Sequence, residues 1–278
     1  MKETMFKWSV MGKPIRNAHY EKLSRFLTEK LAVPNELQLL ESSEEGFAKD
    51  LGPQLTTAQS IRFDFPYPRL VFTTFEGFPA DLMFLRSADC AVNQTGRWWL
   101  RNLLTEAIRR LIVHSQINFD LSGKAVVVGT GAGARASIMA LVKLGLRHLN
   151  VVSIDKPAFD VLEKDFKRFC FNVDLNYIPP DNIKLLGREH TILINSTPMG
   201  AENTLLEDLT FFNYLKDRAF VIDLNFDSAD STLVKEALSL GKYVFTGLDL
   251  MFHKDLYWLE VALQKTADLQ VLQDYFKS

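Results

Sequence analysis

The sequence predicts an α/β fold in two domains, and three observations carry that expectation. Apolar, β-branched runs alternate with stretches of helical period along most of the chain, the pattern of a parallel sheet covered by helices. One such run, residues 125–128, leads into a glycine-rich turn and then an alanine- and leucine-rich stretch. The chain has 278 residues, of which 47% are hydrophobic and 24% charged, which is long for one core and comfortable for two.

Taken in order, residues 6–11 form an apolar strand that ends at the turn Gly12-Lys13-Pro14. Tyr20, Leu23, Phe26, Leu27 and Leu31 recur at helical spacing, so residues 19–31 read as a helix. Residues 37–40 read as a second strand. Ser42 with Glu45 three positions on is a helix-start signal. Residues 69–75 read as a third strand and 88–92 as a fourth, ending at Asn93. A long helix is expected over 100–117. Beyond the glycine-rich turn the alternation continues: helix 159–169, strands near 173–177, 191–195, 220–224 and 243–245, a helix over 232–240, and one or two helices over 256–276. The expected domains are 1–101, with 247–278 packing back on it, and 102–246.

The glycine-rich turn is the chemical centre of this pattern. Gly129, Gly131 and Ala134 stand in the spacing G-x-G-x-x-A between a buried strand and a helix. The first glycine permits a tight turn, and the second lets backbone approach a pyrophosphate. The small Ala134 lets helix and strand pack closely, so that the helix N-terminus aims free N–H groups at phosphate. Asp155, after the next apolar run, is placed to accept hydrogen bonds from ribose hydroxyls or to cap the helix that follows it. The second half of the chain is therefore expected to bind a dinucleotide.

Composition narrows the rest. A net charge of −2 gives no field that recruits nucleic acid or an anionic membrane. Cys90 and Cys170 lack the spacing of a metal site or a redox pair, so they read as free thiols of a reducing compartment, with no metal expected. No apolar run approaches the ~18 residues of a membrane span, and no charged segment followed by an apolar one opens the chain. A cytoplasmic protein, monomer or homodimer, is expected.

Five stretches resemble the shikimate/quinate dehydrogenase family: Val10 to Ile15, Ala91-Val92-Asn93, Gly129 to Ala136, Asn195 to Gly200, and Gly247 to Met251 preceded by Asp223 and Thr232. The resemblance implies an N-terminal substrate domain, a Rossmann-like cofactor domain with a cleft between them, and hydride transfer from a cyclic hydroxy acid to NADP or NAD. By the resemblance, Gly129, Gly131, Ala132, Gly133, Ala134, Arg135, Asp155, Lys156, Ser196, Thr197, Pro198, Met199 and Gly247 hold the cofactor. Asn93 and Lys254 are expected to orient a small carboxylate substrate, with Tyr20 at the position of a family serine. The family's late glutamine reads Lys254 here, and its first serine pair reads Ala18-His19-Tyr20.

The proton-handling lysine and aspartate of the family map onto Phe78 and Leu104, neither of which exchanges a proton. Asp155 disfavours a 2′-phosphate and points to NAD, whereas Lys156 and the family point to NADP. Two functional classes follow. One is an active oxidoreductase with a rebuilt proton path. The other is a catalytically silent dinucleotide or metabolite binder, acting as sensor or scaffold.

Overall fold

A computed structural model describes residues 5–75, 79–198 and 209–278. The chain divides into two compact units, Met1–Leu103 with Lys254–Ser278, and Leu104–His253.

In the first unit, β1 (Phe6–Gly12), β2 (Asn35–Glu41) and β3 (Ser60–Phe63) run parallel, and β4 (Cys90–Gln94) and β5 (Arg97–Arg101) complete the sheet antiparallel, in the order β2-β1-β3-β4-β5. The sheet is thus mixed rather than wholly parallel. Helices α1 (Asn17–Leu31), α2 (Phe47–Thr57), α3 (Tyr67–Thr74) and α4 (Ala80–Leu85) connect the strands. Trp8 of β1 and the C-terminal Trp258 meet at 4.6 Å between ring centroids, and Trp258 donates its indole N–H to Ser60 Oγ at 2.9 Å. Such a buried indole satisfies both its apolar body and its donor.

Residues 69–75 were expected as a strand, from their Val, Phe and Thr content. They lie instead in α3, which Pro68 opens at its first turn and whose Val71 is fully buried. The third strand is Ser60–Phe63, buried along its whole length, with Arg62 among its side chains. The expected helix over 100–117 is shorter: α5 spans Leu103–His114, because Leu100 and Arg101 belong to β5. Asp89 accepts from the Leu103 N–H and so fixes that start. Helix α2 begins at Phe47 without a side-chain cap, since the Ser42 hydroxyl is spent on Asp50.

The second unit holds six parallel strands in the order β11-β10-β9-β6-β7-β8: β6 (Lys124–Val128), β7 (His148–Val152), β8 (Asp174–Ile178), β9 (His190–Asn195), β10 (Leu215–Asp223) and β11 (Tyr243–Phe245). Helices α6 (Ala132–Leu144), α7 (Lys156–Phe166) and α8 (Thr232–Ser239) cross between them. Counting within the unit, this is the doubly wound order 3-2-1-4-5-6, whose direction reverses between β6 and β9. The central strands read as continuous apolar runs because both faces are covered. Helices α9 (Gly247–Leu263) and α10 (Leu269–Lys277) close the chain.

Candidate functional site

In an open parallel sheet, ligands bind beyond the carboxyl ends of the strands where the order reverses. Here that point lies between the turn after β6 and the turn after β9. Gly129 adopts φ +103°, and its N–H donates to Val152 O at 2.8 Å. A Cβ built on it meets Ser196 Oγ at 2.8 Å, and one on Gly133 meets Leu224 at 3.0 Å and Ser196 Cβ at 3.1 Å. Around Gly131 the space is open, with nothing within 4 Å of a built Cβ. So Gly129 is required by the turn, Gly133 by packing, and Gly131 leaves one backbone face free.

Helix α6 starts at once behind Gly131, without a side-chain cap. The N–H groups of Ala132 and Gly133 have no acceptor among the described residues, as a helix N-terminus leaves them. Together with the helix dipole they form an anion cradle. Ala134 is fully buried where helix meets strand. Arg135 does not face this cradle with a free charge: it is buried and paired with Asp165 of α7 at 3.0 Å.

On the other side of the reversal, Ser196 is tied to Val128 O through its N–H (3.1 Å) and its hydroxyl (2.5 Å). Thr197 donates its N–H and hydroxyl to Asn195 Oδ1, at 3.1 and 2.7 Å. Asn195 and Asn225 both donate to Asp223 Oδ1, and Asn225 also donates to Thr197 O at 2.9 Å. Asp223 Oδ2 is buried with no hydrogen-bond partner among the described residues, and burial raises the carboxyl above its ordinary range. The sequence alone gave no role to this network, which braces the turn carrying Thr197 and Pro198. Gly247 closes against the backbone of Leu224 and Asn225, where a Cβ would come within 2.6 Å. Met199 and Phe78 lie outside the described residues.

Asp155 caps α7, accepting from the Ala158 N–H at 2.8 Å, and its backbone N–H donates to Ser153 Oγ at 3.0 Å. Lys156 is drawn to Asp160 and lies 5.2 Å from the ring centroids of Phe159 and Tyr177. Between Ser153 and Asp155, Ile154 is 82% exposed, a large apolar side chain at the carboxyl edge of β7.

In the first unit the polar side chains near the carboxyl ends of β1 and β3 are engaged with one another. Tyr20 donates to Asp64 Oδ1 at 2.7 Å, and His19 Nε2 lies 2.7 Å from Asp255 Oδ2. Arg62 pairs with Asp255 and lies 5.1 Å from the Tyr20 ring centroid. Burial pushes the Asp255 carboxyl up, and Arg62 and His19 outweigh it and hold it below the ordinary range. All five side chains are buried, and Asp64 Oδ2 has no partner among the described residues. Lys254 forms an ion pair with Asp89 at 3.2 Å, both largely buried.

Asn93 lies elsewhere. It stands at the β4–β5 hairpin, its Oδ1 accepting from Gly96 N–H and its own N–H donating to Gln59 O, just before β3 begins. It therefore sits at the opposite end of β3 from the Tyr20–Asp64 pair. Leu104 is in the first turn of α5.

No protein-family model matches the chain. Among curated proteins, shikimate dehydrogenase (NADP(+)) of Crocosphaera subtropica is 25% identical over 158 residues, 55% of this chain and 54% of the relative. That of Prochlorococcus marinus strain AS9601 is 27% identical over 169 residues, 58% and 57%. The chain thus spans little more than half the length of the curated relatives it matches. Among solved structures, shikimate 5-dehydrogenase of Thermus thermophilus, in complex with NADP(H) and shikimate, superposes with a TM-score of 0.81 at 18% identity, covering 98% of this chain and 99% of that one. The Listeria monocytogenes enzyme, in complex with shikimate and NAD, gives 0.85 at 13% identity, covering 99% and 98%. The chain is thus similar to shikimate dehydrogenases in sequence over little more than half its length, and in fold over nearly all of it.

Against that likeness, two motif placements differ. Residues 72–74, just ahead of the Phe78 position, lie in helix α3 and not after a strand. The third strand is followed by Asp64-Phe65-Pro66-Tyr67-Pro68, and Phe78 lies outside the described residues. The A-V-N asparagine falls at a hairpin turn rather than beside Lys254 or Tyr20. Both cysteines are free, and burial pushes the Cys90 thiol up to about 12. Among the described residues no cluster suits a metal ion, and no helix is long and apolar enough to cross a membrane.

Proposed function

We propose that the chain is an NAD(P)-dependent oxidoreductase of the shikimate dehydrogenase type, acting on a cyclic hydroxy acid. The observation that carries this reading is the pair of turns at the sheet's reversal, with Gly131 open and the α6 N–H groups unspent. The residues fit a dinucleotide: Gly129 to Ala134 hold its pyrophosphate, Ser196 to Pro198 support the nicotinamide end, and Ile154 covers a face of the adenine. When bound, the nicotinamide supplies the hydride acceptor. Asp155, already fixed by its cap, accepts from the ribose and repels a 2′-phosphate. Lys156 is drawn off by Asp160 and two rings, so NAD is the favoured partner. Lys254, held by Asp89, anchors the substrate carboxylate or exchanges its hydroxyl proton.

The test is a turnover screen of the purified chain on shikimate, quinate and related cyclic hydroxy acids with NAD and NADP, followed by absorbance of the reduced nicotinamide. Turnover on one of them, reduced by ~10²–10⁴ in Lys254→Met, is expected. Absence of turnover on all of them overturns the reading.

A second reading has its own observation. The buried network of Tyr20, Asp64, Arg62, Asp255 and His19 is satisfied almost entirely within itself, which suits a silent dinucleotide binder. Dinucleotide binding without turnover is its signature.

A further inference from the structure

The second unit carries a concavity at the edge opposite the glycine turn. It has a volume of about 470 Å³, within the range of small-molecule sites. Its walls are the segment 116–120 leading into β6 and the amino ends of β9, β10 and β11. The glycine turn stands at the carboxyl ends of the same sheet, about 15–20 Å away for strands of five or six residues.

Strand β10 is irregular here. Leu215 pairs with His190 and Phe220 with Ile192, so five steps along β10 match two along β9. Arg218, within this bulge, has φ +55°. A non-glycine residue in the left-handed region is uncommon, and in a strand it has no helix end to explain it. Such strain points to function when the side chain it aims is otherwise idle. Arg218 is idle in that sense: its guanidinium has no hydrogen bond or ion pair among the described residues.

The neighbouring charges are already answered. Lys216 pairs with Asp120 at 2.7 Å, and Asp217 pairs with Arg188. Hydrogen bonds from Lys216 and Ser122 hold the Asp120 carboxyl down at about 2, so that pair persists at neutral pH. Among the described residues, Arg218 is left as the one uncompensated charge lining the concavity. The apolar wall beside it is aromatic: Phe119 meets Phe220 edge-on at 5.2 Å, and Phe220 meets Tyr243 at 5.6 Å. Tyr243 is half-buried, and its hydroxyl is uncommitted among the described residues.

The geometry points to a second ligand site, for a single-ring aromatic carboxylate. The ring lies against Phe119 and Tyr243, and the carboxylate takes the Arg218 fork, the arrangement in which arginine binds carboxylates best. The dinucleotide is not its occupant, since the phosphate cradle is at the other edge of the sheet. This site stands independently of the activity proposed above.

The test is a fluorine NMR titration of the full chain with 4-fluorobenzoate, with 4-fluorobenzamide as the neutral counterpart. Saturable binding of the acid in the millimolar range or tighter is expected, with the amide at least tenfold weaker. Arg218→Gly should weaken the acid at least tenfold while leaving the melting temperature unchanged or higher, because glycine adopts φ +55° freely. Addition of dinucleotide should not displace the acid. No saturation at millimolar ligand overturns the proposal. So does equal binding of the amide, unchanged affinity in Arg218→Gly, or displacement by dinucleotide.

Discussion

Gly129 and Gly131 lie two residues apart, and alanine at each should have opposite consequences. At Gly129 the backbone is at φ +103°, beyond the ordinary left-handed basin, and a methyl group meets Ser196 Oγ at 2.8 Å and Thr197 Cγ2 at 3.3 Å. An L-residue in such a region costs about 1–3 kcal/mol, and inserting one methyl into packed surroundings adds about 1–3 kcal/mol. Ser196 cannot yield easily, because its hydroxyl and N–H both hold Val128 O. Gly129→Ala should therefore lose about 2–6 kcal/mol of folding stability. At Gly131, φ is −75° and no atom stands within 4 Å of the added Cβ. Gly131→Ala should be neutral or stabilising by up to about 1 kcal/mol, through the lost freedom of its unfolded chain. Yet it places a methyl where the phosphate must approach, so dinucleotide affinity should fall at least about tenfold, or 1.4 kcal/mol. Urea unfolding and calorimetric titration of both variants separate the two effects. Equal destabilisation by both alanines, or unchanged dinucleotide affinity in Gly131→Ala, refutes the division of labour.

Three further outcomes follow from other parts of the chain. Asp155→Ala removes the α7 cap and should cost about 1 kcal/mol in urea unfolding, while shifting dinucleotide preference toward NADP; an unchanged preference argues against its ribose role. Arg62→Met leaves Asp255 buried with His19 alone, and a broken buried pair costs about 3–5 kcal/mol; a loss below 1 kcal/mol would show that the pair is dispensable. His253 is pushed down to about 4 by burial first, then by His114 and Arg110, from 6.5 in the unfolded chain. Its neutral form is the one the fold accepts, so its contribution is full above about pH 6.5 and is lost as pH falls toward 4, by up to about 3 kcal/mol. The unfolding free energy measured across that window should flatten in His253→Asn.

What was legible in the sequence was what local pattern alone determines. The strands at 125–128 and 191–195 are largely apolar and buried along their length, 243–245 is a short, partly buried apolar run, and the glycine spacing between strand and helix marks the turn unaided. What was not legible depends on partners far along the chain. Ser60–Phe63 hid as a strand because it carries a buried arginine, acceptable only through Asp255, 193 positions away. Residues 69–75 have strand-forming side chains, yet Pro68 and the burial of Val71 make them a helix, tertiary context overriding a weak propensity. The start of α5 is set by Asp89, fourteen positions upstream, so β5 merged with the helix in the sequence pattern. Arg135 had the right place for a cofactor contact, but Asp165, one helix later, claims its charge. The Asp223 network is not legible in local pattern because its members come from the ends of two different strands.

The central claim is that the reversal between β6 and β9 is a dinucleotide site, and separate calorimetric titrations of the chain with NAD, NADH, NADP and NADPH test it most directly. Saturable binding of one oxidised and reduced pair in the micromolar range, with NAD preferred over NADP, is the predicted result. No heat of binding for any of the four at millimolar ligand would contradict it and leave the glycine turn as a purely structural device.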